Sequence, residues 1–286
     1  MKTVLITGVS TGIGKSCAQN LSSNNYKVFG TVRNKRDSEK LKNELGENFY
    51  PIIMDVTNIK SIYLAKEIIE KNIPNKKLDI LINNAGIALG GPIKYIDADI
   101  FRKQFEVNLF GVVSVTNIFL ELLGATKENN HQGKIVMISS ISGKRSYPFV
   151  SPYVASKHAL EGFSDCIRKE LMLYGIDVIL IEPGPVKTAI WDKAPPPNDN
   201  PFLKTEYKSI LKSFYNAVIE QGKLGITSDI VSTKIKKVIE MKKPKTRYVI
   251  TGKKFINYTL PSILPDRIFD KLTAKMLGIT NLKKKN

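Results

Sequence analysis

Tyr153 and Lys157 stand four residues apart in the stretch Ser151-Pro152-Tyr153-Val154-Ala155-Ser156-Lys157. On a helix that spacing puts both side chains on one face. An ammonium beside a phenol favours the phenolate and draws down a pKa that is ordinarily about 10. Tyr153 is therefore a candidate general acid/base, with Lys157 as the group that tunes it. A Tyr-xxx-Lys pair also occurs on ordinary solvated helices, so its meaning depends on what the remaining chain sets beside it.

Upstream, Gly8-Val9-Ser10-Thr11-Gly12-Ile13-Gly14 lies between an apolar run, Lys2 to Thr7, and a helical pattern from about Ile13 to Asn24. Missing side chains at Gly8, Gly12 and Gly14 permit a tight turn and the close approach of a pyrophosphate to a helix N-terminus, with Ser10, Thr11 and Ile13 in the same turn. The GxxxGxG spacing differs from the GxGxxG dinucleotide fingerprint, but its place between strand and helix makes it a candidate dinucleotide cradle. A second strand, Tyr26 to Val32, ends in Arg33-Asn34-Lys35-Arg36. A carboxylate there would bind a ribose 2′-hydroxyl and repel a 2′-phosphate. Arg33 instead offers charge-assisted bonds to a phosphate, which favours NADP(H) over NAD(H) unless Arg33 merely opens the next helix. Asp55, before Val56 at the end of a third strand, either accepts from an adenine amino group or caps the helix starting near Asn58. Asn83-Asn84-Ala85-Gly86 closes a fourth strand with amides that can bond backbone and small residues that leave room for a flat ligand. Asn108 interrupts the apolar stripe of a helical pattern from Asp97 to Leu123, and Ser140 follows a fifth strand, Lys134 to Ser139.

The elements that must position these groups alternate strand and helix six times, through a sixth strand at Asp177 to Ile181 that ends in Glu182-Pro183-Gly184-Pro185. Arg247 to Ile250 can add a seventh. That regularity predicts an α/β fold, a doubly wound parallel sheet with helices on both faces. In such a sheet the C-terminal strand edges carry the site, which is where Ser140 falls. Beyond residue 190 the texture changes: Ala194 to Pro201 is a turn-rich insertion, followed by helical patterns at 202–221, 228–241 and 260–277. We expect one domain, with residues 1–190 as the dinucleotide-binding and catalytic core and 191–286 as a substrate lid and C-terminal segment.

The chain has 286 residues, 42% of them hydrophobic, enough for one large core. Cys17 and Cys166 form no CxxC motif and read as small buried residues, and two histidines, His131 and His158, give no metal-ligand pattern. The formal charge of +18 comes mainly from lysines scattered along the chain without a nucleic-acid-binding motif, which favours a basic solvated surface over a nucleic-acid partner. No apolar run is long enough to span a bilayer. A cytoplasmic protein is the expectation.

Thr7-Gly8-xxx-Gly12-Ile13-Gly14, Asp55-Val56, Asn83-Asn84-Ala85-Gly86, Asn108, Ser140, Tyr153-xxx-Lys157 and Pro183-Gly184 occur in the order found in the short-chain dehydrogenase/reductase family, and over residues 1 to 190 the chain resembles it. Ser140 lies thirteen residues before Tyr153, a spacing common in that family. The resemblance implies a Rossmann fold and an oxidoreductase that interconverts a ketone or aldehyde and an alcohol. It implies that Tyr153 exchanges the proton, Lys157 lowers the tyrosine pKa and binds the nicotinamide ribose, Ser140 orients the substrate oxygen, and Asn108 holds a water linking Lys157 to solvent. Asn84, Ala85 and Gly86 would lie near the cofactor ribose, Asp55 and Val56 near the adenine, and Pro183, Gly184, Val186 and Thr188 near the nicotinamide. Ile141, Tyr147, Pro148, Phe149, Pro185, Ile190 and Trp191 make an apolar surround suited to a hydrophobic substrate. The surrounding motifs look like the branch acting on steroids, retinoids and acyl-lipid carbonyls. A non-catalytic scaffold that senses NAD(P) is the alternative. The last segment, from Phe255 to Leu277, mixes apolar and basic residues, as suits either a lid or contact between subunits of a homo-oligomer, or a peripheral membrane contact.

Overall fold

The computed structural model describes residues 1–128, 131–188 and 200–279. β1 (Lys2–Ile6) is buried along Val4, Leu5 and Ile6, and the chain turns at Gly8 into α1 (Gly12–Ser22). β2 (Tyr26–Val32), α2 (Lys35–Leu45), β3 (Phe49–Ile53), α3 (Ile59–Asn72) and β4 (Ile80–Asn83) complete the first half. The second half runs through α4 (Ala98–Phe105), α5 (Gly111–Phe119), β5 (Lys134–Ile138), α6 (Ser151–Glu170) and β6 (Asp177–Pro183). A two-residue β7 (Val186–Lys187) pairs in parallel with β8 (Ile226–Thr227), which follows α7 (Lys208–Leu224). α8 (Ser228–Glu240) and β9 (Arg247–Ile250) precede α9 (Leu260–Ile263) and α10 (Asp266–Leu277).

Seven strands form one parallel sheet in the order β3-β2-β1-β4-β5-β6-β9. Successive residues of each strand serve opposite faces. Leu5, Leu81 and Ile135 point into a core with Ile62, Val115, Phe119 and Leu160, while Val4, Ile82 and Val136 point into one with Leu21, Ile235 and Val238. Coverage on both faces explains why the strands are nearly unbroken apolar runs. The order reverses direction between β1 and β4, and a crevice opens at that switch point beyond the C-terminal strand ends. The Gly8 turn follows β1 and Asn84 follows β4, so both sit at its edge.

Three local expectations differ from the structure. The predicted helix from Asp97 to Leu123 widens at Glu106–Phe110 into one π turn, where Gly111 N–H bonds to the Glu106 carbonyl five residues back, and Asn108 lies within it. The helix expected from Leu260 to Leu277 breaks at Leu264, which is extended (φ −67°, ψ 136°) because Pro265 disfavours a helical predecessor. Cys166 is exposed on the outward face of α6, where Gly162 and Lys169 also meet solvent, whereas Cys17 is buried and its thiol pushed up to about 12 by desolvation. Among the described residues no helix is long and apolar enough to cross a membrane.

Candidate active site

Thr7 stitches the ends of β1 and β4 together. Its hydroxyl accepts the N–H groups of Asn84 and Ala85, both at 2.9 Å, and the Asn84 amide donates to the carbonyls of Thr7 (2.8 Å) and Gly8 (2.9 Å). The glycines then follow from space. Gly8 has φ +71° and a Cβ there would meet Ala85 Cα at 2.9 Å; one on Gly14 would lie 2.3 Å from the Gly8 carbonyl. Above this turn Thr11 precedes α1 without a side-chain cap, and the first turn of α1 contains no carboxylate. Its N–H groups and the positive end of the helix dipole are thus left for an anion. Ser10 and Thr11 are exposed at its rim, Ile13 is half-buried, and Thr188 crosses over Gly12 close enough that a Cβ there would touch it at 3.3 Å. Such a cradle fits the pyrophosphate of a dinucleotide.

Arg33 follows β2 as an exposed side chain with no ion pair among the described residues, and Asn34, not Arg33, caps α2 through the Asp37 N–H at 2.8 Å. Asp55 does not cap α3; Asn58 does, while the Asp55 carboxylate accepts from the N–H (2.9 Å) and hydroxyl (2.7 Å) of Thr57. Val56 packs over Gly111, where a Cβ would come within 2.8 Å. A Cβ on Gly86 would touch the Asn108 carboxamide oxygen at 3.4 Å. Gly184 donates to the Ile250 carbonyl at 2.9 Å, tying the Pro183-Gly184 turn to the edge strand, and Val186 is buried in β7.

α6 brings Tyr153 and Lys157 to the end of β5, where Ser140 begins a short turn. The Ser140 hydroxyl accepts from Ser142 N–H (3.1 Å) and lies 3.5 Å from the Pro183 carbonyl. Burial of its hydroxyl raises the Tyr153 pKa, and a hydrogen bond with Ser140 pulls the other way. Lys157 is buried, 7% exposed, donates to the Ile138 carbonyl at 2.7 Å, and its Nζ stands 5.8 Å from the Tyr153 ring centre. Desolvation lowers its pKa to about 8, against the opposing charge of Glu161. The expected lowering of the phenol pKa by Lys157 is therefore not what this arrangement gives: the ammonium is turned to β5, and desolvation governs the phenol.

Asn108 is fully committed. Its carboxamide oxygen accepts from Ile87 N–H (2.9 Å), and its amide donates to the Ile87 carbonyl (3.0 Å) and Ser156 Oγ (3.2 Å). Ser156 in turn donates to the Tyr153 carbonyl at 2.7 Å. One turn earlier, fully buried Gln104 bonds Leu89 N–H (2.7 Å) and the Ile87 carbonyl (2.8 Å). The two side chains hold the loop after β4 against the site.

The chain from residue 2 to 199 matches the family model described as short chain dehydrogenase. It belongs to the short-chain dehydrogenase/reductase family. An NADPH-dependent 3-dehydrocapnine reductase of Ornithobacterium rhinotracheale is 40% identical over 277 residues, covering 97% of this chain and 98% of the relative. Retinol dehydrogenase 16 of Homo sapiens is 29% identical, covering 95% of this chain and 87% of its own length. The closed form of serine dehydrogenase complexed with NADP+ superposes with a TM-score of 0.72 at 26% identity, over 87% of this chain and 94% of that one. This short-chain dehydrogenase/reductase is an enzyme acting on CH–OH groups.

Tyr147, Phe149, Ile141 and Pro185 of the apolar surround read from the sequence are placed by the structure, in contacts the sequence does not show. Phe149 takes φ +66°, uncommon for a bulky residue, and is held there because its carbonyl accepts Gly91 N–H at 2.7 Å. Its ring meets Tyr207 and Phe214 edge-on, at 5.8 and 5.5 Å, and Tyr147 meets Phe269 at 6.1 Å. Arg145 reaches the last helices, bonding Asp266 (3.0 Å) and the Ser262 carbonyl (2.8 Å). Ile141 is buried and the Pro185 carbonyl accepts Ile226 N–H at 3.1 Å; Ile190, Trp191 and the insertion from Ala194 to Asp199 lie outside the described residues. Behind Lys157, buried Glu161 pairs with Arg247 (3.0 Å) and Lys144 (3.3 Å), and Arg247 also reaches Asp165 at 2.6 Å. Glu182 is wholly buried at the end of β6. Arg247 Nε lies 3.3 Å from it, but the single Nε–H is spent on Glu161, so burial, then Glu161, raise the Glu182 pKa to about 7.

Proposed function

We propose that this enzyme reduces a hydrophobic ketone to an alcohol with NADPH. The observation that carries the reading is the gathering of Tyr153, Ser140 and Lys157 at the crevice whose other wall is the uncapped N-terminus of α1. Gly8, Ser10, Thr11, Gly12, Ile13 and Gly14 would hold the pyrophosphate, Arg33 the 2′-phosphate, Asp55 and Val56 the adenine, Asn84, Ala85 and Gly86 the ribose side, and Pro183, Gly184, Val186 and Thr188 the nicotinamide. Bound there, the cofactor supplies a hydride. The chain's own task is to place the carbonyl and manage its proton.

Ser140 donates to the carbonyl oxygen and fixes its position, and Tyr153 delivers the proton as negative charge develops there. A phenol held above its ordinary pKa is protonated at neutrality, as an acid in a reduction must be. Lys157, whose positive charge Glu161 favours, binds the ribose hydroxyls. The Asn108 carboxamide is committed to Ile87 and Ser156, which leaves it no amide hydrogen for the water expected to link Lys157 to solvent. The described parts of 200–279 outside the main sheet and its covering helix would wall the substrate, with Tyr147 and Phe149 as seams.

The relative acting on 3-dehydrocapnine makes that ketone the first compound to assay, beside a panel of long-chain and steroid ketones. NADPH oxidation should require one of them, and Tyr153→Phe should lose on the order of a hundredfold to ten-thousandfold in kcat while binding NADPH normally by fluorescence. Unchanged turnover in Tyr153→Phe, or cofactor binding without turnover of any carbonyl, would overturn the proposal; the latter outcome is that of an NAD(P)-sensing scaffold.

A further inference from the structure

The final helix, α10, has two exposed stripes side by side. Ile268, Leu272 and Met276, 48, 53 and 58% exposed, recur every four residues and continue to Ile279. Arg267, Lys271 and Lys275 repeat the same interval one residue earlier, so a basic row runs along the apolar one. Neither row serves the core: the inward positions are the half-buried Phe269 and the buried Leu277. None of the three cations has an ion pair among the described residues, although Arg145 engages the neighbouring Asp266. The preceding turns extend the surface with Phe255 and Ile263, 64 and 68% exposed, beside Lys253 and Lys254. From residue 253 to 278 there are five cations against two carboxylates, Asp266 and Asp270.

We propose that this face docks on an anionic lipid surface. An exposed apolar stripe costs free energy in water, and a contiguous one marks a contact. Charge selects the occupant. A second copy meeting the same face about a two-fold axis would bring the basic rows of both subunits together, which is repulsive. Anionic headgroups match the basic row while Ile268, Leu272 and Met276 enter the acyl boundary, as in helices that lie in the plane of a bilayer. The docking face also adjoins the substrate wall, because Arg145 and Tyr147, in the loop after Ser140, grip the same C-terminal helices through Asp266, Ser262 and Phe269. A hydrophobic substrate would then reach the crevice from the lipid phase.

The test is flotation of the full chain with vesicles of phosphatidylcholine alone or phosphatidylcholine mixed with phosphatidylglycerol, at low and high salt. It needs neither substrate nor turnover, so it stands apart from the proposed reaction. The protein should float with the mixed vesicles, less with phosphatidylcholine alone, and be released by salt. Arg267→Glu/Lys271→Glu/Lys275→Glu should lower partitioning by on the order of a hundredfold, at about fivefold per cation. Ile268→Ser/Leu272→Ser/Met276→Ser should also stay at the bottom of the gradient, with an unchanged melting temperature showing that both variants fold. A wild-type protein that does not float, or either variant floating as well as it does, overturns the proposal. So does a wild-type dimer that the apolar variant converts to a monomer, since a second copy would then cover the face.

Discussion

At the residue scale burial is the first influence on both Tyr153 and Lys157, raising the pKa of the phenol and lowering that of the ammonium. Lys157 is buried and bonded to Ile138, and Tyr153 is left a neutral phenol, the form that can donate. In the proposed reading cofactor choice falls to another single residue, Arg33, exposed and free of ion pairs among the described residues at the end of β2. A charge-assisted bond to a 2′-phosphate is lost in Arg33→Ala. KM for NADPH should rise about tenfold to a hundredfold while KM for NADH moves little. Parallel titrations with the two cofactors check this, and an equal rise in both would place Arg33 outside the 2′-phosphate pocket. The residues that sequence makes visible here are those whose types are unusual for their place: glycines in a turn, an asparagine in an apolar stripe, an arginine where a carboxylate is common. Gln104 escaped because a glutamine on a helix looks ordinary until its hydrogen bonds are seen, and Phe149, legible as part of the apolar surround, gave no sign of its positive φ.

At the element scale, the strand–turn–helix unit from β1 to α1 depends on two backbones approaching where no side chain fits. Gly14→Ala would set a methyl 2.3 Å from the Gly8 carbonyl and 2.4 Å from the Asn84 amide nitrogen, neither free to retreat because Asn84 is bonded to that same carbonyl. We expect a loss of about 1–3 kcal/mol in stability, as for other overpacked sites, with weaker cofactor binding. Gly162→Ala is the counterpart: nothing lies within 4 Å of its added Cβ on the solvent face of α6, and the gain in helix propensity should stabilise by about 0.5–1 kcal/mol. Urea unfolding midpoints of the two variants should move in opposite directions. Main strands and helices were legible because each is a local pattern of apolar period. The π turn around Asn108 was not, since one extra residue in a helical turn leaves the pattern almost intact. β7 and β8 were not either, because two residues make no period.

At the scale of the whole molecule, the edge strand β9 is joined to α6 and β6 by buried charge as well as by the sheet. Glu161, Glu182 and Asp165 face Arg247, with Lys144 on Glu161 and Tyr258 near Glu182. Nothing in the sequence links positions 144, 161, 182 and 247, and each charge read alone is a solvated one; only the fold assembles them. Because it is wholly buried and the Arg247 Nε–H bonds Glu161, Glu182 keeps its proton in the folded protein up to about pH 7, whereas the unfolded chain releases it near its ordinary value of 4.5. Between those values the folded state binds more protons, so this group's contribution to stability is full below about pH 4.5 and declines as pH rises toward 7. Lys157 does not blur that window, because its lowered pKa of about 8 makes stability rise with pH only between there and 10.5. Glu182→Gln keeps the shape and removes the titration. Melting temperatures of variant and wild type should draw apart as pH is raised from 5 to 7.5, the variant becoming relatively more stable, and then run parallel. Curves that stay parallel across the whole range would mean that Glu182 is ionised in the folded protein and that Arg247 neutralises it after all.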